Sequence, residues 1–412
     1  MIKMFTQILF AAACFFLFTQ TVTAVERRKP QFASDSAYLL LPMPYSLPGI
    51  GSGLMVTGLG ANLFDTYTDV FAMYATGDIK GMFGGLTDLH LIDETLFFDI
   101  FVADMSAQMN SYKNRGMADG DDEFQILNAK NRKSRSFDTT LSLFDRQLEF
   151  IYEYNLQEIT MDKVLDENGD LLFEINDPDP EKGERMALSM VVDYTDDRQD
   201  PLKGFRFSAK RSNSPRSNQR SAEYSVINLE ASAYIPIGQS HTWAFNIQTS
   251  EAVVTDKGDN NPDHIIQELG LGCVSYDACS TSEQSLIDTY VTERTYGTAS
   301  SLGGDDELRA YPMGRFKGAH MAYIGTEFRW NFATNVVPFD FWIWKDIATG
   351  FQLAMFHEIG TVAEVKADLW KESRSSTGVG LRMVSASGFV YRSDIAFGDE
   401  GHQSTIMFNY PW

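Results

Sequence analysis

The sequence predicts an all-β fold, a transmembrane antiparallel β-barrel that is reached by export. Three observations predict it. The first residues read as a secretory leader. No later apolar run is long enough for a membrane-spanning helix. Segments of about ten residues alternate between apolar and polar side chains, the pattern of a membrane strand.

The leader comes first. Lys3 precedes an apolar run over 8–18, and Val22-Thr23-Ala24 offers small residues for cleavage. The run is too short to cross a bilayer, which takes about 20 apolar residues. Residues 1–24 are therefore assigned as a signal peptide, and the mature chain is expected to start at Val25. Only helices and closed barrels satisfy their backbone groups in lipid, so the exported chain is either soluble or a barrel. The formal net charge is −22, and the leader carries one lysine and no acid, so the mature chain is more acidic still. That excludes nucleic acid as a partner and leaves anionic lipid only local basic patches. Hydrophobic residues make up 44% of the chain, yet mean hydropathy is −0.21, as alternation rather than blocking of polarity requires. Cys14 leaves with the leader. Cys273 and Cys279 remain, close in sequence, and in an exported chain they predict a small disulfide-closed loop. No histidine stands at ligand spacing from them, so neither a metal nor a cofactor is expected.

The strand segments follow. Over 148–156, Phe150, Tyr152 and Tyr154 alternate with Glu149, Glu153 and Asn155. Over 242–248, Trp243, Phe245 and Ile247 alternate with Ala244, Asn246 and Gln248. Over 322–332, Ile324, Phe328, Trp330 and Phe332 alternate with Gly325, Glu327, Arg329 and Asn331. Over 378–383, Val379, Leu381 and Met383 stand opposite Gly380 and Arg382. The polar face carries full charges, which no packed sandwich core tolerates and an enclosed, wet or ion-paired lumen does. The chain ends in the same way: Ile406, Phe408, Tyr410 and Trp412 are expected on one face, with Thr405, Met407, Asn409 and Pro411 on the other. Phe408, Tyr410 and Trp412 read as a C-terminal barrel signal.

The connections are of two kinds. Pro236-Ile237-Gly238 reads as a short periplasmic turn, and the polar stretches 111–136, 211–221, 255–307 and 366–377 read as long exterior loops. Asn168-Gly169 between apolar runs predicts a tight hairpin with a type I′ turn. Residues 166–170 faintly resemble a calcium loop, but Leu171 stands where such a loop needs glycine, so calcium is rejected. The first strand is placed near Ser52. That leaves 25–51 as a short N-terminal extension and 52–412 as one barrel domain.

From about residue 190 to the end, the chain resembles the bacterial surface antigen family, the outer-membrane assembly factor superfamily that includes BamA and TamA. Residues 193–204, with Asp193, Asp197, Asp200, Pro201 and Gly204, resemble the family's turn. Leu302-Gly303-Gly304 followed by Leu308-Arg309-Ala310-Tyr311 resembles the tip of its long loop. Glu327-Phe328-Arg329 resembles the Glu-x-Arg of the next strand. Residues 356–362 resemble the strand that reads Phe-x-Asp-x-Gly in the family, with Glu358 in place of aspartate. Residues 392–396, with Arg392 and Asp394, resemble the penultimate strand. The resemblance implies about sixteen strands and a long loop folded into the lumen, with Arg309 held by inward Glu327, Glu358 and Asp394 beside the inward Arg329, Arg382 and Arg392. A guanidinium in a narrow, partly dry lumen needs such carboxylates. Ala310 stands where the family has glycine, so a backbone there is less free to take an unusual φ.

The family's first and last strands pair weakly, and this sequence allows the same. Gly51, Gly53, Gly58 and Gly60 lower the rigidity of the strand near Ser52, and Pro411 cannot donate a ladder hydrogen bond. The leading functional expectation is a barrel in the outer membrane of a Gram-negative bacterium. It would assist insertion or translocation of proteins or lipids through a lateral seam, with outer-membrane lipids, client membrane proteins and a periplasmic delivery partner around it. The alternative is a passive pore favouring cations. A lipid-acting enzyme ranks below both. None of His90, His241, His264, His320, His357 and His402 comes with a serine and an acid at motif spacing. His357 adjoins Glu358, but neighbours on a strand face opposite sides.

Overall fold

A computed structural model describes residues 27–412 apart from 29, 33–35, 113, 119–123, 176–179, 215–220, 334–338, 342–343, 348 and 386–389; the predicted signal peptide lies outside the described residues. The first half runs through β1 (Ala37–Leu47), β2 (Gly51–Ala61), β3 (Asp69–Gly77), β4 (Lys80–Ile92), β5 (Leu96–Tyr112), β6 (Phe124–Leu143), β7 (Leu148–Leu165), the short β8 (Leu171–Glu174) and β9 (Glu181–Thr195). The second half runs through β10 (Gly204–Ser214), β11 (Glu223–Ile237), β12 (His241–Asp256), β13 (His320–Ala333), the short β14 (Phe339–Phe341) and β15 (Trp344–Ile347), β16 (Thr349–Ala363), β17 (Arg374–Ser385), β18 (Val390–Gly398) and β19 (Gly401–Phe408). Neighbours around the wall pair antiparallel, with β7 meeting β9, β13 meeting β16, and β1 meeting β19 to close the ring. β8 only extends β7 beyond the wall, and β14 pairs with β15 apart from it, so sixteen strands among the described residues build the barrel.

The alternation explains why these strands close around an interior. Trp243, Ile324, Trp330, Phe332, Met355, Val379, Leu381 and Ile395 are all exposed, while Ala244, Glu327, Arg329, Ala354, Arg382 and Asp394 on the same strands are buried. Greasy outside and ionised inside inverts a water-soluble protein and suits a wall bathed in lipid. Aromatic pairs gather at the end of the barrel that holds both chain termini: Tyr194 with Phe205, Trp330 with Phe332, and Tyr391 with Phe408, at centroid separations of 5.3, 5.9 and 5.8 Å. Such a girdle marks a membrane–water interface.

The predicted long loops all emerge at the opposite end, together with the β7–β8 hairpin. Several boundaries differ from the sequence expectation. The barrel begins at β1, inside the stretch assigned to an N-terminal extension, and the strand near Ser52 is the second. Pro42 and Pro44 make that run read as non-strand, whereas an edge tolerates proline. β5 and β6 extend through much of 111–136, because long strands can project beyond the membrane with polar side chains on both faces. β10 and β17 likewise take in the ends of 211–221 and 366–377. Pro236 belongs to β11, and the turn is formed by 238–240. The hairpin tip is not type I′. The Gly169 N–H donates to the Asp166 carbonyl at 3.1 Å, and only Gly169 has positive φ, so a type I turn is followed by a left-handed glycine. At the C-terminus, Asn409 takes a φ of 65° and ends the strand at Phe408; Tyr410 and Trp412 leave the outer face for the interior.

The loop between β12 and β13 contains two helices that the sequence reading missed: α1 (Pro262–Leu269) and α2 (Thr281–Tyr296). Their start signals were present. Asn261 caps Asp263 N with Pro262 in the first turn, and Ser280 with Glu283 forms a capping box. The Ser280 hydrogen bonds hold the Glu283 carboxyl below its usual value. Ile265, Ile266, Ile287 and Cys279 form a small core of this cap, and Cys273 is disulfide-bonded to Cys279.

The lipid-facing assignment makes a measurable claim. Val379→Arg, at the middle of β17, should cost about 2–4 kcal/mol of bilayer folding free energy, the depth-dependent penalty for a cation on the outer wall. Reversible unfolding from lipid vesicles measures it; a variant as stable as the parent places this face away from acyl chains.

Candidate functional site

Four inward strand faces and one loop tip converge. On β13 the inward row contains Met321, Tyr323, Glu327 and Arg329; on β16 it contains Phe356, Glu358 and Gly360; on β17, Ser376, Gly380 and Arg382; on β18, Arg392, Asp394 and Ala396. The segment 302–316 from the β12–β13 loop lies against them. It doubles back on itself through Leu302 and Phe316, which exchange backbone hydrogen bonds at 2.9 and 3.1 Å. Leu302, Leu308, Ala310, Tyr311 and Phe316 are buried with Tyr323, Phe356, Val362 and Ala396.

Arg309 is fully buried at the tip. Its Nε donates to Glu358 Oε1 at 2.7 Å and its backbone N–H to Glu358 Oε2 at 2.9 Å. Its Nη1 donates to Glu327 Oε2 at 3.1 Å and to Asp394 Oδ2 at 2.9 Å. Its guanidinium carbon stands 3.4 Å from the centre of the Phe356 ring. The pattern Phe356-x-Glu358-x-Gly360 is thus three successive inward positions with three tasks: a ring under the cation, a carboxylate against it, and space. A methyl group on Gly360 would lie 2.7 Å from Leu302 Cδ1, inside contact distance. Glu358, one methylene longer than aspartate, reaches both the side chain and the backbone of Arg309. Ala310 needs no unusual φ, because the left-handed residue of this tip is Leu308 at 48°; the Ala310 N–H donates to Ser376 Oγ at 3.1 Å.

The remaining inward charges knit the same cluster. Arg382 Nη2 donates to Glu327 Oε2 at 3.0 Å, and its Nη1 pairs with Asp394 Oδ1. Arg329 Nε donates to Glu327 Oε1 at 2.9 Å. Arg392 Nη1 lies 3.3 Å from Asp394 Oδ2, and its Nη2 lies 3.0 Å from Asp306 Oδ1 on the loop. Gly380 sits directly across from Asp394, and any side chain there would collide with the Asp394 carboxylate. Four guanidiniums meet three wall carboxylates, and loop acids supply the balance. These carboxylate hydrogen bonds are what make the buried charge tolerable, while one nitrogen of each guanidinium (Arg309 Nη2, Arg329 Nη1, Arg382 Nε, Arg392 Nε) is buried without a hydrogen-bond partner among the described residues.

The chain end joins in. Trp412 Nε1 donates to Tyr323 Oη at 3.1 Å, and Tyr323 Oη donates to Glu358 Oε1 at 3.1 Å. The Tyr410 ring lies 3.7 Å from the Arg329 guanidinium carbon, and its hydroxyl donates to Asp200 Oδ1 at 2.7 Å. Asp200 belongs to the β9–β10 turn, so the turn singled out in the sequence also touches the site. Asp193 and Asp197 cap that turn internally, accepting from Thr195 N and Gln199 N at 2.9 Å each. Gly204 opens β10 at a φ of 115°, packed against the Tyr194 carbonyl. Pro201 is buried in the same turn.

Sequence reasoning missed the clasp at the loop end. Arg115 Nε donates to Glu364 Oε1 at 2.7 Å, and its Nη1 to Thr298 Oγ1 at 2.8 Å. Arg315 Nε donates to Glu400 Oε2 at 2.8 Å. Met117 is buried among the luminal apolar residues. Nothing in a polar loop distinguishes such residues from solvated ones. His357, by contrast, points outward to Thr377 Oγ1 at 2.7 Å, away from Glu358.

The closing seam is thin. β1 and β2 share eleven residue pairs and β18 and β19 share eight, but β1 and β19 share one, Ser46 opposite Ile406. Side chains supply the other links: Ser46 Oγ donates to the Ser404 carbonyl at 3.1 Å, and Tyr391 Oη donates to the Pro44 carbonyl at 2.8 Å. Pro42 and Pro44 share parity with Ser46, so the N–H groups they lack are missing from the seam edge. Beyond Phe408 the chain turns inward, and the lower half of β1 meets no strand on that side among the described residues.

Comparison with solved structures places this architecture. BamA from Haemophilus ducreyi lacking POTRA domains 1-3 is 10% identical, aligned over 92% of this chain and 75% of that one, with a TM-score of 0.48. CdiB from Escherichia coli is 9% identical over 92% of this chain and 67% of that one, at 0.50. CdiB from Acinetobacter baumannii is 10% identical over 92% and 66%, at 0.46. At these identities the likeness is one of fold: the chain has the barrel fold of the Escherichia coli CdiB. Neither a family model nor a curated protein sequence matches the chain.

Removing Arg309 tests the energetics. Arg309→Ala leaves Glu358 buried without a guanidinium and should lower unfolding free energy by about 3–5 kcal/mol while the barrel still folds. Arg309→Lys should recover only a minor part, because an ammonium cannot span the Glu358 and Asp394 positions at once. An unchanged urea midpoint for the alanine variant would mean the cluster contributes nothing to stability.

Proposed function

We propose that this chain is an outer-membrane assembly or translocation barrel that works through its β1–β19 seam, with the Arg309 cluster holding the loop inside the lumen. The observation that carries this reading is the single backbone pair closing the ring. An ordinary passive barrel has every reason to zip its last seam, because unpaired backbone groups in lipid are costly. Here prolines on one strand and a left-handed kink on the other prevent it. Such an edge can accept a client strand by β-augmentation, with main-chain hydrogen bonds supplying affinity and no sequence requirement. The long loops would face the exterior and the girdled end the periplasm. Clients would arrive from the periplasmic side, handed over by a partner. Its role in this reading is non-enzymatic.

The resemblance noted in the sequence and the CdiB-like fold support this reading but do not carry it alone. Against the passive-pore alternative stands the segment 302–316, whose Leu302, Leu308, Arg309, Tyr311 and Phe316 are buried against inward residues of β13, β16 and β18. In planar bilayers the protein should therefore be mostly closed, and Arg309→Ala should raise conductance and expose 302–316 to protease. Large steady openings of the unaltered protein support the pore instead.

The seam itself is tested with Ser46→Cys and Ile406→Cys, which face each other across it. In proteoliposomes supplied with a nascent client barrel, oxidation of the pair should slow client insertion at least tenfold, and reductant should restore it. Insertion that runs at the same rate with the seam cross-linked removes the lateral route.

A further inference from the structure

Among the described residues ahead of β1, Arg27, Arg28, Gln31, Phe32 and Ser36 take no part in the Arg309 cluster, yet each bonds to or packs on the rim of the barrel. Arg27 is nearly buried: its Nη1 donates to the Thr195 carbonyl at 2.8 Å and lies 3.4 Å from Asp193 Oδ1, and its Nη2 donates to the Asp193 carbonyl at 3.1 Å. The Arg28 N–H donates to the Asp196 carbonyl at 2.7 Å, and its Nε stands 2.9 Å from Asp196 Oδ2. The Gln31 carbonyl accepts from Arg146 at 3.5 Å. Phe32 is buried, edge-on to His90 and Phe97 at 4.7 and 5.5 Å, tilted against Tyr67 at 5.8 Å, with the Arg146 guanidinium carbon 4.8 Å from its ring centre. Ser36 Oγ then donates to the Asn62 carbonyl at 3.0 Å.

These contacts fall in order along the girdled end: first the β9–β10 turn, then β6–β7, β4–β5 and β2–β3, before the chain enters β1. β9 stands on the wall opposite the seam. The track therefore lines the mouth from one side to the other, with an acidic notch at one end and an aromatic pocket at the other. Nothing in the barrel's closure requires it, since the wall pairs without these residues.

We propose that this track is a peptide-binding site whose resident occupants are the chain's own Arg27, Arg28, Gln31 and Phe32. Its ligand class is a peptide with two adjacent arginines and an aromatic residue four positions after the second, bent as the chain is at Arg28 and at Gln31–Phe32. The acids of Asp193, Asp196 and Asp197 read the cations; Tyr67, His90 and Phe97 read the ring. A peptide with this spacing that arrives from the periplasm replaces these residues. The proposal rests on the assembly reading only for the question of which peptides arrive; the site exists or fails independently of the seam.

A tethered occupant competes at an effective concentration of about millimolar, so free peptide reaches the site measurably only when the occupant's own contacts are removed. The test uses the full chain in lipid nanodiscs and a fluorescent synthetic peptide of residues 25–36. The variant Arg27→Glu/Arg28→Glu/Phe32→Ala should bind this peptide at least tenfold more tightly than the unaltered protein. A peptide with glutamates in place of the two arginines should lose that binding. Heat-modifiable migration confirms that the variant barrel is folded, and if the triple variant fails to fold, Phe32→Ala alone serves in its place. Equal binding to both proteins, no binding to the folded variant, or equal binding of the glutamate peptide each overturns the proposal. Seam cross-linking leaves these outcomes unchanged, so failure here is distinct from failure of the lateral route.

Discussion

A guanidinium cannot be moved out of water without carboxylates waiting for it, and that constraint organises the interior of this barrel. Desolvating an isolated ion costs far more than a single domain's stability, so Arg309 is possible only because Glu358, Glu327 and Asp394 are already aimed at it from three different strands. The strands in turn need their register for those three side chains to meet. A slip by one residue on any of them would send its carboxylate into lipid and a greasy side chain into the cluster. Buried charge therefore specifies the wall as much as it holds the loop. The same cluster explains the glycines opposite it, since Gly360 and Gly380 give up side chains so that Leu302 and Asp394 have room.

The second constraint is the backbone. In lipid every N–H and C=O wants a partner, and a closed barrel satisfies this by leaving no edge. Among the described residues, a long ladder joins every pair of neighbouring wall strands except β1 and β19. At the seam, proline removes donors on β1, and the Asn409 kink withdraws the acceptors that β19 would have offered below Phe408. Both devices are local and cheap in sequence, and neither disturbs the ladders next to them: β1 keeps its full pairing with β2 and β19 with β18.

How much of this was legible follows from the range of each signal. Period-two alternation is local, so the wall, its polar interior and the inward side of Glu327, Glu358, Arg382 and Asp394 could be read from the residues. Meeting Arg309 was legible only through the resemblance, because the three acids lie 18, 49 and 85 positions from it. The first strand was missed for a local reason: Pro42 and Pro44 break the pattern that identifies strands. The inward turn of Tyr410 and Trp412 was missed for the opposite reason. Their alternation continues correctly from Phe408, and only the backbone at Asn409, which no side-chain pattern reveals, rotates them off the outer face. The helices of the loop were overlooked although Asn261-Pro262 and Ser280-x-x-Glu283 are ordinary start signals. The segment's polarity pointed to loop, and the small core of Ile265, Ile266 and Ile287 is too sparse to show as a helical stripe.

The two constraints meet in the last three residues. Trp412 touches Tyr323, Tyr323 touches Glu358, and Glu358 holds Arg309. Tyr410 lies on Arg329, which shares Glu327 with Arg309 and Arg382. The residues absent from the seam are therefore the ones engaged with the luminal cluster, and they cannot do both. Pairing opposite Pro42 and Pro44 would gain little, since those positions have no N–H to offer, while the interior offers an indole partner, a cation for the ring and a carboxylate for the phenol. The thin pairing of β1 with β19 thus goes with the docking of the chain end on the inward cluster. The free energy that packs the C-terminal tail against the cluster is the same free energy that keeps the barrel's last edge unzipped.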